Sequence, residues 1–397
     1  MGKIGIIDRL KAIAISSIKT HTVRMSKIII DKSYRAWLEI DLKKIQSNYQ
    51  AIKDFVGSKQ VMPVLKANAY GLGMKPICKA LQMVGADTFG VANVNEALAL
   101  YKINAKRVQV LGDVTPYEIE LAIKKHIILP LSSLETARAI SDVALKLGIS
   151  AQCEILIDTG MGRLGLWWQR AYIELEEILK LPHLKIEGVY SHFPNANEDL
   201  EFSKKQIRNL SAIHGWLKKQ LGTTLNFHIA NSDGINNISQ SIEAPFNLVR
   251  TGINLYGVYD MQGRQRVNIQ SVITLKSRLI AIKTLPAGTS ISYGCSDTLT
   301  KSTRLGTISL GYADGLPLAL SQKGYVMVHG KACKVLGRVT MDYTIIDLSN
   351  VPHAKVSDEV ICLGDEITVS DWACLKQTHE YEIICSLGNR VDRIYKY

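Results

Sequence analysis

Val61-Met-Pro-Val-Leu-Lys-Ala-Asn-Ala-Tyr-Gly-Leu-Gly73 joins a short apolar run to a loop of small residues and glycine, with Lys66 at the junction. A run of this length reads as a buried strand. A lysine at the end of such a strand is partly desolvated, which weakens its preference for the ammonium form and makes the amine a usable nucleophile. The plainer role, an aliphatic stem on apolar surface with its ammonium in water, suits an isolated lysine. The pattern in which this run is the first member decides the fold. Short apolar strands beginning near Val61, Thr88, Arg107, Ile127, Ala151, Leu184, Leu225 and Asn247 alternate with amphipathic stretches such as 75–84, 95–103, 116–125 and 134–147. Eight strands with intervening helices satisfy a (β/α)8 TIM barrel, an α/β fold, although a doubly wound open sheet shares the local pattern.

Ahead of the run, residues 35–42 alternate like a half-buried strand, and a helix pattern covers 42–55. Beyond residue 268 the grammar changes. Residues 271–285, 306–310, 325–329, 334–339 and 344–348 are strand-like runs between Gly, Pro and Asn turns, interrupted by one helix pattern at 369–376. This predicts a second, mostly antiparallel β domain.

A chain of 397 residues is long enough for two cores. Its 47% apolar and 21% charged residues are those of a soluble globular protein. No stretch reaches the ~18 uninterrupted apolar residues of a membrane span. Seven scattered cysteines, none in C-x-x-C spacing, point to reduced thiols in a cytoplasmic protein and away from a disulfide scaffold or a metal site. The net charge of +12 suggests nucleic acid only superficially. Lys3, Arg9, Lys11, Lys19, Arg24 and Lys27 stand against Asp8 alone, so much of the surplus sits in one short arm. The remaining charges are spread over helix faces without interleaved aromatics. Residues 1–34 read as an extension. They form either an amphipathic targeting or surface segment, or a poorly ordered leader ahead of a working start at Met25.

Barrel enzymes carry reactive groups at the C-terminal ends of their strands. The distinctive residues fall there repeatedly: Lys66, Asp158-Thr-Gly-Met-Gly-Arg-Leu-Gly165, Tyr190-Ser-His192, Ala230-Asn-Ser232 and Arg250-Thr-Gly-Ile253. Arg163 at such a mouth pairs with a carboxylate or phenolate.

These segments, with Ser290-Ile-Ser-Tyr-Gly294, Gly311-Tyr-Ala-Asp-Gly315 and Gly337-Arg-Val-Thr-Met-Asp342, resemble alanine racemases over most of residues 35–397. The resemblance implies a barrel at 43–268 that binds pyridoxal 5'-phosphate, and a β domain built from 269–397 plus 35–42. It implies that Lys66 holds the cofactor, and that Tyr70, Ser232 and the N–H groups of Gly252 and Ile253 cradle its phosphate. Arg163 would contact the phenolic oxygen and the substrate carboxylate. Arg250 would face the pyridine nitrogen and leave it unprotonated, so that the carbanion is reprotonated before transamination competes. His192 would orient Arg250. Racemisation needs proton exchange on both faces of the substrate, and the resemblance assigns the two bases to Lys66 and the partner subunit's Tyr293. Tyr312 and Arg338 would sit at the substrate entry, with the Met341 N–H and Asp342 at the carboxylate end. The resemblance also implies a homodimer with active sites shared across the interface, acting on small amino acids and supplying D-alanine for peptidoglycan.

Two positions depart from the pattern. Where many alanine racemases carry an N-carboxylated lysine, seven residues before Arg163, this chain has Leu156. Glu154 or Asp158, on the same strand face, or a bound anion is then expected to balance Arg163. Asn389 in Ser386-Leu-Gly-Asn-Arg-Val391 stands where alanine racemases place a tyrosine against the phosphate and substrate. Serine racemases of the vancomycin-resistance type resemble the chain there. Asparagine is smaller and offers a donor and an acceptor, so serine is expected to be accepted beside alanine, and a dedicated serine racemase is the alternative. A pyridoxal-dependent decarboxylase would need an acidic residue in place of Arg250. A non-catalytic cofactor-binding barrel would lack residues 269–397 and the second base.

Overall fold

The computed structural model describes residues 34–259 and 263–397. The readings of residues 1–33, including the start at Met25, lie outside the described residues.

Eight parallel strands form the barrel: Gln60–Pro63, Thr88–Val91, Arg107–Val110, Leu129–Leu131, Ala151–Asp158, Leu184–Tyr190, Asn226–His228 and Leu248–Thr251. Their ladders link neighbours in chain order, and Leu248–Thr251 pairs with Gln60–Pro63 to close the ring. The narrow joints are made by single bridges, Val64 to Gly90 and Gln109 to Ile128, and by the Arg250 N–H bonded to Ala230 O at 3.0 Å. The expected barrel is therefore the observed one, and the open sheet is excluded. The intervening helices start and stop on local signals. Asp41 accepts from the Lys44 N–H to cap Leu42–Val56, and Ser133 accepts from Thr136 to cap Leu134–Leu147, which ends on left-handed Gly148.

The long strand Ile273–Leu285 organises the second sheet. It pairs antiparallel with Ala36–Asp41, Glu359–Leu363 and Thr303–Ile308. Thr303–Ile308, Thr344–Asp347, Lys331–Leu336, Tyr325–Val328 and Glu359–Leu363 continue in that spatial order and return to Ile273–Leu285, so six strands close on themselves. Closure removes the exposed edges that an open sheet would present. Ala36–Asp41 and Asp392–Lys396 extend the sheet beside the long strand, pairing parallel with each other.

The expected strand at 334–339 lies three residues earlier, as Lys331–Leu336. Gly337 at φ 62° takes a left-handed turn that a strand cannot continue through. Glu359–Leu363, Asp392–Lys396 and the short helix Glu380–Cys385 carry no sequence pattern strong enough to announce them. Among the described residues, no helix is long and apolar enough to cross a membrane.

Candidate active site

Lys66 comes directly after Leu65, whose N–H is anchored on Gly90 O at 2.8 Å. The next four residues, Ala67, Asn68, Ala69 and Tyr70, are all left-handed, with φ of 52°, 54°, 55° and 57°. Each such non-glycine residue costs about 1–2 kcal/mol, so the surroundings must hold the turn. Glu96 Oε1 accepts from the Ala67 N–H at 2.7 Å, and Asn68 Oδ1 accepts from Met74 at 2.9 Å. From the C-terminal strand, Tyr395 Oη donates to Leu72 O at 2.9 Å and Arg393 Nε to Gly71 O at 3.2 Å. The strained turn brings the side chains of Lys66 and Tyr70 to one cleft of about 730 Å³, which Arg163, His192, Ser232 and Arg250 also line. Desolvation there, then the cations Arg163 and Arg250, hold the Lys66 amine below the ordinary lysine pKa; Cys385 and Glu96 act in the opposite sense.

Arg250 is buried at the floor of this cleft. Its Nη2 donates to Ser191 O at 2.7 Å and Ile229 O at 3.1 Å and lies 3.3 Å from His192 Nδ1, while Nη1 bonds His228 Nδ1. Burial pushes its pKa down to about 10, so it remains a cation at neutral pH. Burial first, then Arg250, Arg163 and Lys66, keeps His192 well below its usual pKa, hence neutral. Two residues beyond Arg250, the Gly252 N–H donates to Ser232 Oγ at 3.1 Å. A Cβ on Gly252 would fall inside the Tyr70 hydroxyl, so only glycine lets the two segments meet. The Tyr70 ring rests against Tyr256 (centroids 5.3 Å apart) and Tyr381 (6.0 Å), and buried Ile253 opens the turn Ile253–Tyr256.

The pattern described as "Alanine racemase, N-terminal domain" matches residues 40–260, and "Alanine racemase, C-terminal domain" matches 272–395. The chain belongs to the alanine racemase family. An alanine racemase of Desulforamulus reducens is 36% identical over 367 residues, covering 90% of this chain and 98% of the relative. The solved alanine racemase of Clostridium difficile 630 superposes with a TM-score of 0.85 at 32% identity, over 92% of this chain and 96% of that one. The alanine racemase of Bartonella henselae, solved with covalently bound pyridoxal phosphate, gives 0.82 at 30% identity, over 91% and 99%. The chain is accordingly an amino-acid racemase, an isomerase.

Within this racemase the remaining sequence-predicted residues form a second group, outside the cleft lining, on the β domain. Tyr293, Tyr312, Arg338 and Met341 are exposed, Tyr293 to 71%. Hydrogen bonds to main-chain carbonyls knit their segments together: Ser292 Oγ donates to Arg338 O at 2.6 Å, Tyr312 N–H to Thr340 O at 2.9 Å, and Ala313 N–H to Met341 O at 3.1 Å. Arg390 bridges Asp342 at 2.8 Å and Asp314 at 3.0 Å. Asn389 is exposed on the adjoining segment, held by the Gly388 N–H bond to Asp314 O, and it too lies outside the lining. From the same C-terminal stretch it is His379 and Tyr381 that reach the cleft.

The expected balance of Arg163 needs correction. Glu154 points into the barrel, where Gln109, Asn226 and His228 occupy its oxygens. Asp158 accepts from the main-chain N–H groups of Gly160, Met161, Gly162 and Arg163, so it shapes the turn and does not pair with the guanidinium. Among the described residues Arg163 makes no ion pair. Sequence reasoning passed over His228, Glu96 and Tyr381. His228 had a signal: an imidazole inside the apolar run Phe227–Ile229 must find a buried partner.

Proposed function

We propose that the enzyme interconverts L- and D-alanine in the cytoplasm as a homodimer, with pyridoxal 5'-phosphate held at Lys66, and supplies D-alanine for peptidoglycan. The observation that carries this reading is Arg250, a buried cation at the cleft floor with two neutral imidazoles beside it. A decarboxylase would need a carboxylate there to keep the pyridine nitrogen protonated. The residues present fit the cofactor. The Ser232–Gly252 contact, which Tyr70 approaches closely because Gly252 has no side chain, suits its phosphate together with the Ile253 N–H. The Lys66 amine, with its depressed pKa, suits its carbonyl carbon.

When bound, the cofactor supplies the electron sink that acidifies the substrate α-carbon. Arg250 would face the ring nitrogen and, having no proton to give up near neutral pH, would leave that nitrogen unprotonated. Arg163 attracts the substrate carboxylate. Lys66 removes or returns the proton on one face. The partner subunit's Tyr293 serves the other face, which accounts for its exposure in the single chain. Tyr312 and Arg338 border the entry, and the Met341 N–H with Asp342 meets the carboxylate end.

We extend the reading to serine on the strength of Asn389. The test is time-resolved chiral analysis of cofactor-loaded enzyme with L-alanine and L-serine separately, for wild type and Asn389→Tyr. Racemisation of alanine is expected, and serine efficiency should fall selectively in the variant. Serine efficiency unchanged by Asn389→Tyr removes the serine extension, and no D-product from either substrate overturns the racemase reading.

A further inference from the structure

We propose that Glu154 is a positioning residue of this racemase: through His228 it fixes the direction and supplies the counter-charge of Arg250. The proposal rests on the racemase reading for what Arg250 does.

Glu154 sits mid-strand in Ala151–Asp158 with 0% exposure. A carboxylate that deep persists only if its oxygens are satisfied. Gln109 Nε2 donates at 2.7 Å, Asn226 Nδ2 at 2.8 Å, and His228 Nε2 lies at 2.7 Å. These donors come from two other barrel strands, so the carboxylate is gripped across the barrel interior. Gln109 turns its amide nitrogen to Glu154 and leaves its own Oε1 without a partner, the orientation an ionised acceptor selects.

The proton directions are then set by chemistry. A guanidinium only donates, so the His228 Nδ1 that touches Arg250 must present a lone pair. The single proton of a neutral imidazole therefore lies on Nε2 and points at Glu154. Carboxylate, imidazole and guanidinium make a chain with one negative and one positive end and a neutral link. Tyr190 locks the link in plane, its ring stacked 5.1 Å from His228 at 4° and 5.6 Å from the Arg250 guanidinium carbon. Among the described residues no anion bonds Arg250 directly: its remaining acceptors are main-chain carbonyls and His192. Removing the Glu154 charge leaves a lone buried cation and frees the imidazole to change tautomer, and both effects disturb Arg250 without touching the cleft wall.

Two measurements test this. Nitrogen-15 NMR of histidine-labelled holoenzyme between pH 6 and 9 should show His228 neutral and protonated on Nε2. An Nδ1–H tautomer or an imidazolium overturns the proposal, and this needs no variant to fold. Glu154→Gln keeps an acceptor for the Nε2–H but loses the charge. It should lower kcat about 10- to 100-fold, the range for a lost charged hydrogen bond. KM should stay within about threefold, and the absorption spectrum of the bound cofactor should shift. Wild-type kcat with an unchanged spectrum overturns the proposal. Absence of racemisation in the wild-type enzyme would instead sink the functional reading, and the His228 tautomer reports independently of it.

Discussion

Glu96 is the residue on which the shape of the lysine turn should most visibly depend. It belongs to the helix Val94–Tyr101, and its two oxygens accept from the Ala67 N–H at 2.7 Å and the Ala92 N–H at 2.9 Å. It thereby ties the residue after Lys66 to the loop after the neighbouring strand. Four left-handed residues store about 4–8 kcal/mol. Two carboxylate-to-amide bonds at a half-exposed site contribute about 2–3 kcal/mol together. Glu96→Ala should then shift the balance between the ordered and relaxed turn by about 30- to 150-fold, at 1.36 kcal/mol per decade. Glu96→Gln retains one acceptor oxygen and should give about half that free energy, or about 5- to 12-fold.

The assay is kcat/KM for racemisation at saturating cofactor, paired with hydrogen exchange of amides 67–71. The expected order is wild type above Gln above Ala, with exchange accelerating in the same sequence. Glu96 also acts on the Lys66 amine, raising its pKa, so the alanine variant should move the acid limb of the rate profile to lower pH. Variants that lose thermal stability but keep kcat/KM within about twofold would refute the claim that the strained turn presents the lysine.

Gly252→Ala should weaken cofactor retention about tenfold or more in equilibrium dialysis, because overpacking costs about 1–3 kcal/mol and the new methyl meets the Tyr70 hydroxyl. Retention unchanged in Gly252→Ala would mean that the Ser232–Gly252 contact does not hold the cofactor. Arg393→Ala leaves the carbonyls of Gly71, Leu387, Gly388 and Val391 without their common donor. It should lower stability by about 2 kcal/mol in urea titrations and lower kcat as well; a fall in stability alone would detach Arg393 from the lysine turn. His228 is held below its unfolded pKa by burial first and then by Arg250, with Glu154 opposing. The unfolded chain therefore takes up a proton that the fold refuses, and stability should fall as pH drops below ~6.5, by about 1.4 kcal/mol per pH unit for this residue. His228→Gln should flatten that slope in cofactor-free protein; an unchanged slope would mean the fold accommodates the imidazolium.

What was legible in the sequence was what depends on period and chain order. Eight apolar runs separated by amphipathic helices specify a barrel because each run must be buried on both sides and each helix on one. The reactive residues at strand ends are set by that register, which is why Lys66, Arg163, His192, Ser232 and Arg250 meet in one cleft. Contacts that cross the barrel interior leave no such trace. Nothing in the spacing of Gln109, Glu154, Asn226, His228 and Arg250 says that they converge, because their meeting depends on strand tilt and shear. Parity along the strand still shows that Glu154, Leu156 and Asp158 share a face, yet it cannot rank them by depth. Glu154 lies low enough to bond barrel-floor residues, and Asp158 high enough to cap the turn that carries Arg163. The same limit applies to Asn389 and Tyr381. Both sit in the C-terminal stretch, but the helix Glu380–Cys385 turns Tyr381 toward Tyr70, while the segment after it runs out beside Asp314 and Asp342. In a single chain Asn389 thus belongs to the exposed group with Tyr293. In mixed dimers with a single working Lys66, Asn389→Tyr should therefore alter substrate choice when carried by the partner of that subunit, whereas substitution of Tyr381 should act when carried by the subunit that holds the working Lys66.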